Sequence, residues 1–256
     1  MSESIPSYGN ALAKIYNEQW SAFADHVAPR LVEFYSYTPA GRAKKVLLDL
    51  CCGTGQLARH FLVAGFPVIG LDLSDHMLAH ARENNAEAVA SGRARFVVGD
   101  ATDFELQQPV GFVVSTYDAL NHLDSLDSLS RCFGCVFNAL EPEASFVFDL
   151  NTRIGLTHWI GTAVEERDDS IVIKRGYFDA EIGRAQMTVS GFIRRPDGLY
   201  ERFREAVSNT EYKMQAVREA LAACGFREIT FHQVIDLSAP IADPEAESRV
   251  FVVAKK

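Results

Sequence analysis

Positive charge is scarce in this chain: 25 Lys and Arg stand against 34 Asp and Glu, a net charge of -9 over 256 residues. That balance speaks against the basic stripe of a nucleic-acid binder, and no nucleic-acid partner is expected. No apolar run approaches the roughly 20 residues needed to span a bilayer, so no membrane partner is expected either. The opening "MSESIPSYGNALAKIY" lacks a charged segment followed by an apolar one, so it does not read as a signal peptide. Cysteine is sparse, five in all, which excludes a disulfide scaffold and makes a reduced, cytoplasmic protein the expectation. Internal repeats and low-complexity tracts are missing too. What remains is an ordinary globular balance, 48% hydrophobic and 23% charged, of a length that suits one large domain or one domain with an insertion.

The pattern along the chain supplies the architecture. Residues 11–37 carry helical spacing (Leu12, Ile15, Tyr16, then Val27, Leu31, Phe34), with Pro29 expected to open a second helix. From residue 45, short apolar runs alternate with amphipathic segments. "KVLLDL", "PVIGLDL", "ARFVVGD", "GFVVSTY" and "ASFVFDL" read as strands. Between them, "GQLARHFLVAG" stops at Gly65, Ser74 caps "DHMLAHARENN", and residues 126–140 form a helix. Near-continuous apolar strands separated by helices imply an α/β, doubly wound parallel sheet covered on both faces.

Residues 153–208 break the rhythm. "VEERDDSIVIKRGYFDA", "GRAQMTVSGFIRR" and "LYERFREAV" read as three strands of a small inserted antiparallel β-sheet, with "RPDG" as a hairpin turn. A helix is expected at 209–224, opened by a Ser208…Glu211 capping box and stopped by Gly225. Two antiparallel strands close the chain. The expected organisation is an N-terminal helical lid (1–44), a core (45–152 and 209–256), and an inserted cap facing substrate (153–208).

Gly53, Gly55 and Ala58 match the G-x-G-x-x-G/A turn of dinucleotide binders, with Asp72 at suitable spacing behind. Charge points elsewhere. Asp49, Asp72 and Asp100 stand at the carboxyl ends of three successive strands, where ligands sit in such sheets. A pyrophosphate would be repelled by an acid beside its cradle. A ligand with a cationic end and a ribose diol would not, and S-adenosylmethionine has those parts and no phosphate.

Taken in order, "LLDLCCGTGQLA", "VIGLDLSDHML", "FVVGDATDF" and "FVVSTYDALNHL" resemble the motifs of class I S-adenosylmethionine-dependent methyltransferases. The resemblance implies a Rossmann-like seven-stranded sheet of order 3-2-1-4-5-7-6. It implies that Asp49, Cys51, Gly53 and Gly55 lie along the methionine part of the cofactor. Asp72 would hold the ribose, Leu73 and Met77 would flank the adenine, and Asp100 and Ala101 would meet its edge. Thr116 and Tyr117 would sit beside the transferring methyl. Cys51 departs from the small Gly or Ala common there. The insertion together with "YDALNHL" is similar to a subgroup of small-molecule methyltransferases that includes sugar N,N-dimethyltransferases.

Methyl transfer needs alignment first, and a base only where the nucleophile must lose a proton. The candidates after the fourth strand are Tyr117, Asp118, Asn121 and His122, with His122 and Tyr117 as the catalytic pair. Tyr8, Tyr16 and Trp20 are candidates for an aromatic lid over the cofactor, and His158 and Trp159 for substrate contacts. His76/His80 and Cys132/Cys135 have metal-like spacing without a completing partner, so no metal is expected. The function expected is methyl transfer to a small-molecule acceptor. Alternatives are an NAD-type oxidoreductase and a non-catalytic cofactor-binding module.

Overall fold

The computed structural model describes residues 8–234 and 236–256; residues 1–7 of the expected lid lie outside them. The chain opens with α1 (Asn10–Gln19), α2 (Ala22–Tyr37) and a single turn, α3 (Pro39–Arg42). The core follows as β1 (Leu47–Leu50), α4 (Gln56–Val63), β2 (Val68–Asp72), α5 (Asp75–Asn84), α6 (Ala86–Ala90), β3 (Ala94–Val98), β4 (Val110–Ser115), α7 (Leu126–Ala139) and β5 (Leu140–Asn151). After a short α8 (Arg153–Thr157) come β6 (Gly161–Arg167), β7 (Ser170–Asp179), β8 (Arg184–Arg194) and β9 (Tyr200–Thr210). Helix α9 (Met214–Ala223) and strands β10 (Arg227–His232) and β11 (Arg249–Lys255) finish the chain.

The main sheet has the order β3-β2-β1-β4-β5-β11-β10. Strands β3 to β5 are parallel; β11 runs antiparallel to β5 and β10 antiparallel to β11. This is the seven-stranded order the motifs implied. Alternation along each strand feeds two cores. Leu47, Phe112 and Val147 face α2, α4 and α5, while Leu48, Val113 and Phe146 face α7 and α9. In α7 the buried stripe is Leu129, Cys132, Phe133 and Val136, so Cys132 is there to pack.

Local expectations fail where tertiary contacts outweigh them. Pro29 does not open a helix; it lies inside α2. The stripe Ala24, Val27, Ala28, Leu31 and Tyr35 is buried on both sides of it, and that packing offsets the lost backbone bond. Residues 161–179 are two strands, because Asp168 and Asp169 make a tight turn that folds β6 onto β7. The inserted sheet therefore has four strands, β6-β7-β8-β9. The Ser208…Glu211 capping box does not form, since β9 stays paired with β8 as far as Thr210. Helix α9 starts at Met214, whose N–H donates to the Glu245 carboxylate at 2.9 Å. Gly225, at φ 103°, ends it as expected.

The first two helices part company. Helix α2 packs in the main core beside Leu57 and Phe61 of α4. Helix α1 lays Leu12 and Ile15 on Val172, Val189 and Phe203 of the inserted sheet.

Because α9 borrows its cap from Glu245, Glu245→Ala should destabilise the protein by about 1 kcal/mol, the usual loss for a missing cap. At this chain length that lowers the melting temperature by roughly 2–4 °C. Thermal unfolding of the variant beside the parent checks it, and an unchanged midpoint would show the contact to be idle.

Candidate functional site

The turn after β1 is built from backbone geometry that side chains resist. Cys51, Gly53 and Gly55 all have left-handed backbones, at φ 58°, 53° and 72°. For Gly55 a side chain is also excluded by packing, because a Cβ would lie 2.8 Å from Asn85 Nδ2 and 3.0 Å from Ala81 Cβ. A Cβ on Gly53 would instead point toward Met77 and Tyr16, at 3.5 and 3.6 Å. Cys51 thus adopts a glycine-like conformation despite its side chain, at a strain of about 1–2 kcal/mol. Burial, and then the charges of Asp72, Asp49 and Asp100, push its thiol up, so it stays protonated.

The three strand-end acids differ in their surroundings. Asp49 lies within β1, 2% exposed, and its Oδ2 is buried with no hydrogen-bond partner among the described residues. Burial pushes its carboxyl up to about 8, against a lowering bond from the Ala58 backbone. Asp72 is already at work: Oδ2 accepts from Gly53 N at 2.8 Å and Oδ1 from Ser74 N at 2.9 Å. Its pKa is raised by burial and held back by those same bonds. Asp100 is exposed, and its Oδ1 closes its own turn by accepting from Thr102 N and Oγ1 at 2.7 and 2.8 Å. Beside them, Leu73 is 73% exposed while Met77 and Ala101 are buried.

Asp49, Cys51, Thr116 and Tyr117 share one crevice with Tyr16, Trp20 and Phe23. Aromatic rings wall it. Tyr16 meets Trp20 edge-on at 5.6 Å and Tyr117 at 6.0 Å, and Tyr117 stacks on Phe23 at 4.8 Å. Tyr8 joins from the far end of α1, 6.4 Å from Tyr16. A larger open cleft of about 570 Å³ lies elsewhere, by Asp168 and Phe192 of the inserted sheet, and brings together none of these groups.

Tyr117 and Asp118 are held in consecutive left-handed conformations, φ 66° and 50°. Their N–H groups donate to the two oxygens of Asp149, at 2.6 and 3.0 Å. Asp149 also accepts from Arg249 Nη1, while Arg249 Nη2 donates to Asp118 Oδ1 at 2.6 Å. Asn209 donates to the other Asp118 oxygen. Burial raises the Asp149 pKa, and Arg249 is the chief opposing influence. Asp118 is therefore absorbed in holding the turn. Asn121 is absorbed too, donating to the Asn151 and Thr210 carbonyls and accepting from Asn151 N.

His122 is left with a defined proton. Its Nδ1 lies 2.9 Å from the Ser208 carbonyl, which can only accept, so Nδ1 carries the hydrogen. Burial lowers its pKa, which keeps the ring neutral and Nε2 a lone-pair acceptor. That lone pair faces the Tyr8 hydroxyl at 3.0 Å. Burial raises both the Tyr8 and Tyr16 hydroxyls, so both remain protonated.

Other candidates stand apart. His158 and Trp159 do not line the crevice. Cys132 and Cys135 are free thiols, and no group of three His, Cys, Asp or Glu converges as metal ligands among the described residues. Phe23, Asp149, Asn209 and Arg249 escaped the sequence reading. A lone acid inside apolar "FVFDL" was a usable signal for Asp149; its partner lies 100 residues away.

Residues 47–143 match a methyltransferase domain model. Over 95% of its length the chain is 27% identical to a putative methyltransferase of Geobacillus sp. (strain WCH70), covering 96% of that protein. It is 26% identical to the dTDP-3-amino-3,4,6-trideoxy-alpha-D-glucopyranose N,N-dimethyltransferase of Streptomyces venezuelae, over 84% of each chain. The fold is similar to that of an S-adenosylmethionine-dependent methyltransferase from Clostridium acetobutylicum, with a TM-score of 0.73 at 23% identity over 96% and 98% of the two chains.

The Arg249 cluster makes a clear expectation. Arg249→Met leaves two buried carboxylates without their cation and should destabilise the fold by about 3–5 kcal/mol. In that variant Asp149, already raised by burial, loses the Arg249 charge that held it back and rises further above its value in the unfolded chain, so the folded state binds more protons. Stability then falls as pH rises from 5 to 8 and recovers on acidification. Urea unfolding at both pH values tests this; equal losses at the two would rule out stranded carboxylates as the cause.

Proposed function

We propose that this chain is a class I S-adenosylmethionine-dependent methyltransferase and that it methylates an amine nitrogen on a small, sugar-like acceptor in the cytoplasm. The observation that carries the cofactor site is the unpartnered, buried Oδ2 of Asp49 on an aromatic-walled crevice. Such an oxygen suits an ammonium, and electron-rich ring faces suit a sulfonium. Support for the acceptor comes from the Streptomyces venezuelae relative, whose name specifies an amino-sugar substrate and whose match covers 84% of this chain. Five free thiols agree with a reducing compartment.

S-adenosylmethionine supplies an electrophilic methyl group on a good leaving group, so the protein's task is mainly alignment and exclusion of water. In this reading Asp49 pairs with the cofactor ammonium, while Cys51, Gly53 and Gly55 let backbone approach its methionine part. Asp72 uses two of its four lone-pair positions on Gly53 and Ser74, which leaves two for ribose hydroxyls. Leu73 and Met77 would flank the adenine, and Asp100 and Ala101 would meet its edge. Thr116 and Tyr117 flank the methyl, with Tyr117 fixed by Asp149 below it. Neutral His122 would take a proton at Nε2 from the Tyr8 hydroxyl that donates to it, and that hydroxyl would in turn accept the acceptor's proton, with Tyr16 closing the site above.

An assay of the purified protein with S-adenosylmethionine should methylate nucleotide-linked amino sugars in preference to phenols and quinols. Transfer confined to oxygen or carbon acceptors would overturn the amine assignment. Binding itself carries a proton signature. At pH 7 Asp49 is largely protonated and must ionise to meet an ammonium, so binding should release about one proton. Calorimetry in two buffers of different ionisation heat reads this directly, and Asp49→Asn should abolish the release. For the ribose, Asp72→Ala should lose about 2–3 kcal/mol of cofactor binding, roughly 30- to 150-fold in affinity. Asp72→Asn should lose less, because one oxygen still accepts; unchanged affinity in Asp72→Ala would remove Asp72 from the site.

A further inference from the structure

Helix α1 lacks a cap of its own. Gly9 at its N-cap offers no side chain, and its first turn contains no acid. The first N–H groups of a helix need acceptors, and its positive end favours a carboxylate. Both requirements are met from the inserted sheet. Glu205, on the inner face of β9 and 4% exposed, accepts from Gly9 N at 2.7 Å and from Leu12 N at 3.0 Å. Lys174, its cross-strand neighbour through Val189, is engaged by Glu165 at 2.6 Å and sits over the Trp20 ring. If α1 lifts, Glu205 loses both of its donors.

The same helix forms the outer wall of the crevice. Tyr16 and Trp20 line it, and Tyr8 precedes the helix with its carbonyl accepting from Ser74 Oγ at 2.7 Å. The free space left inside is only about 20 Å³, room for roughly one water. A ligand of cofactor size reaches Asp49 only if a wall moves, and α1 is the wall held by side-chain contacts at its start.

We propose that Glu205 is a positioning residue that clamps the N-terminus of α1 shut over the crevice and so sets how long the cofactor stays and where Tyr8 stands against His122. The proposal rests on the cofactor reading above for its functional consequence, though not for the clamp itself. Glu205 touches neither cofactor nor acceptor in this scheme. It acts through α1, and it makes the inserted sheet answerable for the cofactor end of the site as well as the acceptor end.

The experiment has two arms. Amide exchange in the ligand-free protein compares the parent with Glu205→Gln and Glu205→Ala. Faster exchange confined to Gly9–Tyr16, with β7 to β9 still protected and Glu205→Gln intermediate, is the expected result. Stopped-flow fluorescence with S-adenosylhomocysteine then reads the dissociation rate, expected to rise by about ten-fold or more in Glu205→Ala as charge-assisted bonds are lost. Glu205→Gln, which keeps one acceptor oxygen, should recover part of that difference. Unchanged α1 exchange would overturn the clamp, as would loss of protection spread evenly through β7 to β9. A parent protein that fails to bind S-adenosylhomocysteine would sink the cofactor reading, and the exchange arm would still decide the clamp.

Discussion

The Asp149 carboxylate is the point on which the site depends. It lies near the end of the fifth strand, fully buried, and its two oxygens collect the N–H groups of Tyr117 and Asp118 after the fourth. Two consecutive left-handed residues without glycine are unfavourable by about 1–2 kcal/mol each, and such strain persists only where surroundings over-determine it. Here they do. Arg249 bridges Asp149 and Asp118 from the antiparallel strand, and Asn209 donates to the second Asp118 oxygen from the inserted sheet. The guanidinium also lies 4.7 Å over Phe23. Four separate segments of the chain thus converge on one turn, which aims Tyr117 into the crevice.

Opposite that turn the electrostatics are left open. Asp149 has its cation, whereas Asp49 has none among the described residues, and burial, with the Asp72 charge adding to it, raises its carboxyl to about 8. A buried acid without a partner lowers stability and persists where something other than folding requires it. The glycine turn next to it is rigidified by Asp72, so the backbone that would receive a ligand is pre-organised through the same acid assigned to the ribose. Pre-organisation of this kind reduces the ordering cost of binding.

Much of this was legible in the sequence because it is local. The core strands, the Ser74 cap, the Gly65 and Gly225 stops and the acids beside the glycine turn follow from short-range pattern, whereas the order of the sheet came with the resemblance of the ordered motifs. What escaped is long-range. Pro29 inside α2 and the Glu245 cap of α9 depend on packing and on a partner 31 residues distant. Asp118 and Asn121 looked like chemistry because polar residues after a strand end usually face a ligand, yet both are consumed by hydrogen bonds to Asn209, Arg249, Asn151 and Thr210. Phe23 reads as one more apolar helical residue until its ring is seen stacked on Tyr117.

The attachment of α1 to the inserted sheet bears on how such enzymes can be recombined. Residues 8–20 and 161–210 lie at opposite ends of the chain's core yet share one small apolar cluster and one buried carboxylate. They form a single packed unit interrupted by the core. A chimera that takes the inserted sheet from one parent and the first helix from another would bring together surfaces that were never fitted. Transfer of the inserted sheet between relatives therefore requires both pieces to travel together.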